Sequence, residues 1–169
     1  MDTGILIARL VLGLALIAHG AQKFGLFGGY GLDGTGQFLE QLGFRPGRAF
    51  ALAAGLGEIS AGLLTALGLF GPVGPALMVQ VMAVAMISVH WRHGFFAQQQ
   101  GIELPLLYLT GGLALTATGS GAYSLDSLAG LEGLSNPHIK WLAIGIALAV
   151  AALTLAARRP APLVAKTSS

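Results

Sequence analysis

Five apolar stretches dominate this sequence, and each approaches the length needed to cross a lipid bilayer as a helix. They run approximately over residues 4–22, 49–70, 73–91, 104–118 and 139–157. About 20 apolar residues in a helix span the hydrocarbon core, where every backbone polar group must be hydrogen bonded within the protein. The sequence therefore predicts an all-α membrane protein with a four-helix transmembrane bundle and a fifth, C-terminal transmembrane helix.

The composition supports this class and excludes several others. Hydrophobic residues make up 54% of the chain and charged residues only 9%. The few basic residues flank apolar stretches and form no dense basic stripe, so nucleic acid is not expected as a partner. The chain has no cysteine, which excludes disulfides, thiolate metal ligands and a catalytic thiol of its own.

The connections differ in length and in predicted structure. Glycine and proline at 71–72 and 74–75 indicate a tight turn, so the second and third stretches should form an antiparallel hairpin. The longer first connection contains an amphipathic segment at about residues 32–44, with Phe38, Leu39 and Leu42 on one side; we expect an interfacial helix or a lid there. The short fourth stretch should be extended at one end or lie deep among its neighbours. We divide the chain into a four-helix domain (1–130), an additional helix (131–158) and a flexible tail (159–169).

The distribution of basic residues predicts the orientation in the membrane. Cytoplasmic loops carry an excess of lysine and arginine. The opposite side has only Lys140 near a helix end, and Arg9 lies inside the first stretch. We therefore predict an external N-terminus and a cytoplasmic C-terminus. The basic residues on the cytoplasmic side are Lys23, Arg45, Arg48, Arg92, Arg158, Arg159 and Lys166.

Glu58 lies almost midway along the second stretch. A charged side chain at the bilayer centre costs roughly 2.5 to 3.5 kcal/mol on insertion scales, so it needs a partner or a function. At 100° per residue, a set of small residues lies within about 60° of it, which would let another helix approach closely. These residues are Ala51, Ala54, Gly55, Ala61, Gly62 and Thr65.

The first stretch combines glycine and charge in the same way. Arg9, Gly13, Gly20 and Lys23 lie within about 40° of one line along the helix, and His19 flanks that line. Together with Glu58, the ionisable side chains of Arg9, His19 and Lys23 form a predicted series at successive depths in the membrane, which suggests a proton path or a polar pocket. An alternative for Arg9 is a purely structural ion pair with Glu58, because buried charges in membranes tend to pair.

The polar segment between the third and fourth stretches divides into a loop and two functional ends. His93 and residues 98–100 are interpreted as a solvated loop. His90 and Glu103, at the end of one helix and the start of the next, are predicted to face a site shared with His19, Lys23 and Glu58. His19 and His90 lie at similar depths, about 23 and 26 Å from the outer side, although packing histidines remain an alternative.

Four segments together resemble the DoxX family over residues 4–130. They are RLVLGLALIAHGAQKFG from Arg9, GLGEISAGLLTALGLF from Gly55, the H-x-x-G-F turn at His90 with the following GIELPLLYL, and GSGAYSLD from Gly119. The resemblance implies a small four-helix protein of the bacterial cytoplasmic (inner) membrane, similar to the membrane subunit of thiosulfate:quinone oxidoreductase. Gln100 stands where a second glycine often occurs in the family. The family's recurring polar residues correspond to Arg9, Lys23, Glu58, His90 and Glu103.

The leading functional hypothesis is a quinone-binding subunit that works with a membrane or peripheral oxidoreductase. Quinone reduction consumes protons as well as electrons, so it needs hydrogen-bond donors and a proton relay at membrane depth. Glu58, His90 and Glu103 are the predicted catalytic residues. Arg9, His19 and Lys23 are the predicted cofactor-binding residues.

Three other functions stay open at this stage. His19 and His90 could hold a b-type haem between facing helices. The intramembrane charges would also suit a small transporter, although no inverted repeat is visible in the sequence. A non-catalytic scaffold or assembly factor, alone or as a homo-oligomer, would need the charges only for packing.

Overall fold

The structure is a computed structural model that describes residues 1–159, and this part of the chain is helical with no strand. The predicted all-α class is confirmed. Lys166 and almost all of the predicted tail lie outside the described residues. The helices are α1 (Asp2–Gln22), α2 (Gly31–Gln41), α3 (Gly47–Leu67), α4 (Val73–Ala85), α5 (Glu103–Thr118), α6 (Leu125–Leu128) and α7 (Pro137–Ala156).

Four of these helical segments are long and apolar enough to cross a membrane. They are Asp2–Gln22, Gly47–Leu67, Val73–His93 and Pro137–Ala156. The third reaches this length because α4 continues through a π-helical turn at Met86–His90 and a 3-10 turn at Trp91–His93. Together with α5, they account for the five predicted spans.

α5 corresponds to the short fourth stretch and has 16 residues. It begins only one residue earlier than predicted, so it is not substantially extended. Four of its residues are buried, namely Pro105, Gly112, Leu115 and Thr116. The other residues of α5 are half-buried or exposed, so the helix lies at the side of the bundle, contrary to the expected deep position.

α1 and α3 pack closely because glycines face glycines between them. A Cβ atom on Gly13 would lie 2.6 Å from the carbonyl oxygen of Gly62, and one on Gly20 would lie 2.8 Å from that of Gly55. Only residues without side chains allow two backbones to approach so closely. The predicted small-residue face of α3 is confirmed apart from Ala54, which is half-buried. Its other members are buried with Glu58, namely Ala51, Gly55, Ala61, Gly62 and Thr65.

α4 occupies the centre, where it contacts α3, α5 and α7. One buried cluster joins α1, α3 and α4 through Leu16, Ala61, Met78, Val81 and Met82. A second joins α4 to α7 through Ala76, Val79, Ile144 and Ala147. The predicted fifth transmembrane helix, α7, is therefore packed on the bundle through α4.

The long helices alternate in direction, so the bundle has two distinct ends. The Asp126 end contains the start of α1, the α3–α4 turn, α6 and the start of α7. The Glu103 end contains Lys23, α2, the start of α5 and the end of α7. The grouping of connections follows the prediction, while the assignment of the Glu103 end to the cytoplasm stays a prediction.

α2 lies against the start of α3. A Cβ on Gly36 would lie 2.9 Å from the backbone nitrogen of Arg48, and the Glu40 carboxylate accepts a hydrogen bond of 2.9 Å from Gly47 N. A helix is thus present in the predicted amphipathic segment. Its position at the membrane interface is still a prediction.

Candidate functional site

Lys23 and Glu58 form a buried ion pair between α1 and α3. Lys23 Nζ donates a hydrogen bond of 2.5 Å to Glu58 Oε2, and the exposed fractions of the two side chains are 23% and 6%. A buried carboxylate is tolerated in an apolar bundle only if its charge is compensated. Lys23 is therefore the partner that the sequence required for Glu58.

The antiparallel packing of α1 and α3 explains this pairing. Side chains on a helix point towards its N-terminus. Lys23 at the end of α1 is thus directed into the bundle, while Glu58 on α3 is directed towards the Glu103 end. The two long side chains converge, and the glycines at 20 and 55 keep the helices close enough for them to meet.

His19 and Tyr108 lie beside the ion pair and connect α1 to α5. Their rings meet edge to face with centroids 5.9 Å apart. His19 lies one turn before Lys23 on α1, and Tyr108 packs on the buried cluster that contains Leu16 of α1 and Ala61 of α3. We call Lys23, Glu58, His19 and Tyr108 the Glu58 cluster. The sequence analysis missed Tyr108, although a phenol on an apolar helix, five residues after Glu103, was a usable signal.

The Glu58 cluster retains hydrogen-bonding capacity. The Lys23 ammonium has three N–H donors, and the ion pair occupies one. Within residues 1–159, the Tyr108 hydroxyl makes no hydrogen bond. Since Glu58 can also exchange a proton, the cluster can bind a carbonyl oxygen and supply protons next to it.

His90 and Glu103 lie at the same end as Lys23, but their polar atoms hold the α4–α5 connection in place. His90 Nδ1 is hydrogen bonded to the Gln100 carbonyl oxygen at 2.6 Å, and the Glu103 carboxylate accepts 2.8 Å from Ala97 N. The backbone N–H of Glu103 also donates to the Phe95 oxygen at 2.9 Å. These hydrogen bonds give both residues a structural role in the α4–α5 connection. Their catalytic role remains a prediction. His93, Gln98, Gln99 and Gln100 are exposed, as expected for a loop, and their contact with water stays a prediction.

Arg9 lies at the opposite end of the bundle, about 21 Å along α1 from Lys23. Its guanidinium is buried and donates to the carbonyl oxygens of Thr65 at 3.0 Å and Ala66 at 2.8 Å. It also donates to Ser120 O at 2.5 Å and Tyr123 O at 2.9 Å. The suggested ion pair between Arg9 and Glu58 is wrong. Arg9 instead donates to carbonyl groups in the last turn of α3, where a cation is favourable.

Asp126, another residue missed by the sequence analysis, completes this second polar group. Its carboxylate accepts hydrogen bonds from Phe70 N at 2.8 Å, Gly71 N at 2.6 Å and Ser120 Oγ at 3.1 Å. It thereby ties the segment after α5 to the α3–α4 turn. The segment GSGAYSLD, which carries part of the family resemblance, therefore closes the Asp126 end.

The histidines proposed as haem ligands have separate partners. His19 contacts Tyr108, whereas His90 is bonded to the loop oxygen of Gln100. No group of three or more histidine, aspartate or glutamate side chains suited to a metal ion occurs in the described part of the chain. A haem between His19 and His90 remains a prediction.

The fold and the cluster define a multi-pass helical membrane protein with an ion pair buried in its bundle. The family model described as DoxX matches residues 4–91, and the chain belongs to the DoxX family. A Bacillus subtilis (strain 168) protein named "Putative oxidoreductase CatD" is 29% identical over 138 residues, which cover 82% of this chain and 95% of that protein. No solved structure matches the chain.

Proposed function

We propose that this protein is the membrane component of a quinone-linked redox system and that the Glu58 cluster binds the quinone headgroup. The observation that carries the proposal is the buried Lys23–Glu58 ion pair with donors left over beside it. The name of the Bacillus subtilis relative, which describes an oxidoreductase, supports a redox role.

The chemistry of the cluster suits a quinone. A quinone headgroup carries carbonyl oxygens on an apolar ring, and the cluster offers the Lys23 ammonium and the Tyr108 hydroxyl at membrane depth beside apolar side chains. When bound, a quinone takes up two electrons from a partner oxidoreductase and two protons, and both carbonyl groups become hydroxyl groups.

The residues of this chain would supply the hydrogen bonds and the protons. Lys23 binds one carbonyl oxygen through an N–H that the ion pair leaves free. Glu58 exchanges protons with the bound headgroup and with Lys23, whose partly exposed side chain gives contact with water at the Glu103 end. His90 and Glu103 lie at that end and would act at its aqueous side, while Arg9 would stabilise the fold.

Binding of decylbenzoquinone to purified protein in lipid nanodiscs tests this function. We expect Glu58→Gln and Lys23→Gln to raise the Kd at least tenfold, because each removes a group in contact with the headgroup. Glu132→Gln is the control, because it also removes a carboxylate charge but from an exposed residue of the Asp126 end. This variant should bind the quinone like the wild type.

A double variant, Lys23→Met with Glu58→Met, distinguishes loss of binding from loss of folding. Replacing both members of a buried ion pair by apolar residues leaves no unpaired charge, so the bundle should remain folded. The proposal requires that this folded variant fails to bind the quinone. Unchanged binding in Glu58→Gln, Lys23→Gln and the double variant would overturn it. The visible spectrum of the same samples tests the haem alternative, which requires a Soret band.

A further inference from the structure

We propose that the headgroup reaches the Glu58 cluster sideways from the bilayer, between α1 and α5, and that Tyr108 is the residue of α5 that holds it. This inference rests on the proposed function and adds the access route and a contact residue.

α1 and α5 contact each other at two levels along their length, and a glycine brings them close together at only one of these levels. Near the middle of the bundle, a Cβ on Gly111 would lie 2.6 Å from the Leu12 side chain, so the helices touch there. At the next level towards the Glu103 end, about 10 Å along α1 and about 4.5 Å along α5, the two helices meet through the edge-to-face rings of His19 and Tyr108. The Glu58 cluster therefore lies where the helices are joined by the rings of His19 and Tyr108 and not by a glycine contact.

The seam between these helices lies on the lateral surface of the protein. His19 is exposed, Tyr108 is half-buried, and Leu104, which is one turn from Tyr108 on the same face of α5, is 48% exposed. In a membrane-spanning bundle, this surface faces lipid tails. A lipid-soluble molecule can therefore reach Glu58 past His19 and Tyr108.

The aqueous end gives a ring-sized molecule less space. Phe24 lies over the start of the α1–α3 interface, where a Cβ on Gly55 would come within 2.7 Å of its ring. Lys23 reaches the Glu103 end with a small exposed fraction, which suffices for protons and water. The two routes would thus separate the headgroup from the protons that it consumes.

Tyr108 is suited to hold the headgroup because its ring is fixed and its hydroxyl is free. The ring packs against the cluster of Leu16, Ala61 and Met78. Within residues 1–159 its hydroxyl has no hydrogen-bond partner. A carbonyl oxygen placed beside Glu58 can therefore accept from Tyr108 as well as from Lys23.

Tyr108→Phe tests the contact residue. We expect the Kd for decylbenzoquinone to rise about fivefold to twentyfold, since one hydrogen bond is lost. Decylbenzene, which has the same tail and no carbonyl oxygen, should bind equally to both proteins. Tyr123→Phe is the matched control, because Tyr123 is exposed at the Asp126 end, and it should bind like the wild type.

A bulky label tests the access route. The chain has no cysteine, so Leu104→Cys can be labelled specifically with a large maleimide. The control is Leu142→Cys on α7, where the native leucine is 63% exposed. We expect the label at 104 to slow quinone association at least tenfold and the label at 142 to leave it unchanged. Wild-type binding by Tyr108→Phe, or an unchanged association rate with the label at 104, would overturn the inference.

The outcomes separate this inference from the proposed function. If Glu58→Gln loses binding while Tyr108→Phe and the label at 104 have no effect, the quinone site stands and this route is wrong. If Glu58→Gln and Tyr108→Phe leave the Kd unchanged and the label at 104 leaves the association rate unchanged, both the site and the route are wrong.

Discussion

Lys23 Nζ lies 2.5 Å from Glu58 Oε2, and this contact joins the end of α1 to the middle of α3. Both groups come from helices whose backbones are brought together by facing glycines. The same pair therefore stabilises the helix interface and offers the charged groups of the proposed quinone site.

Lys23→Met should destabilise the protein more than the double replacement of Lys23 and Glu58 by methionine. Removing Lys23 alone leaves the Glu58 carboxylate, whose side chain is 6% exposed, without a partner, which costs about 3 to 5 kcal/mol, whereas removing both charges is close to neutral. Unfolding in mixed detergent micelles measures the two free energies. Equal losses in the single and double variants would show that the pair is not coupled as the structure indicates.

Gly13→Ala should force α1 and α3 apart. The new Cβ would lie 2.6 Å from the Gly62 oxygen and 2.9 Å from the Ala66 side chain, and overpacking of this kind costs about 1 to 3 kcal/mol. Gly145→Ala on α7 is the control, because a Cβ there meets nothing within 4 Å. The prediction is contradicted if the two alanine variants have the same thermal stability.

Asp126→Asn should loosen the Asp126 end. The aspartate accepts hydrogen bonds from Phe70 N and Gly71 N, and an amide can present only one oxygen to these two donors. We expect a loss of about 1 to 3 kcal/mol and faster hydrogen exchange in residues 119–136. Asp33→Asn alters an exposed carboxylate paired with Arg48 and should change stability by at most about 1 kcal/mol. Protection of residues 119–136 at the wild-type level would contradict the role given to Asp126.

Periodicity predicted the packing faces correctly, because burial in a helix follows from the angle of each residue. Gly13, Gly20 and Glu58 were placed on inward faces by counting 100° per residue, and the structure confirms them. Counting residues failed to identify the partner of Glu58. From the register of the facing glycines, Glu58 lies about 9 Å from the level of Lys23 and about 12 Å from that of Arg9.

Side-chain direction, which counting ignores, decides between these two partners. Arg9 and Glu58 point away from each other along antiparallel helices, whereas Lys23 and Glu58 point towards each other. Tyr108 and Asp126 were missed for a different reason. Their partners lie on distant segments, so the sequence marks Tyr108 only as a phenol on an apolar helix, and the contacts of both residues follow from the tertiary structure.

Thr65 and Thr116 provide a matched pair for the value of a buried hydroxyl group. Both side chains are buried, but Thr65 Oγ1 has no hydrogen-bond partner among residues 1–159, while Thr116 Oγ1 donates to Gly112 O at 2.9 Å. Thr65→Val should therefore raise the free energy of unfolding by about 1 kcal/mol, because it removes an unsatisfied polar atom. Thr116→Val should lower it by a similar amount, since it removes a bond that is made. Unfolding of both variants in the same detergent gives the comparison. A loss of stability in Thr65→Val would contradict the prediction, since it would show that the Thr65 hydroxyl is hydrogen bonded in the folded protein.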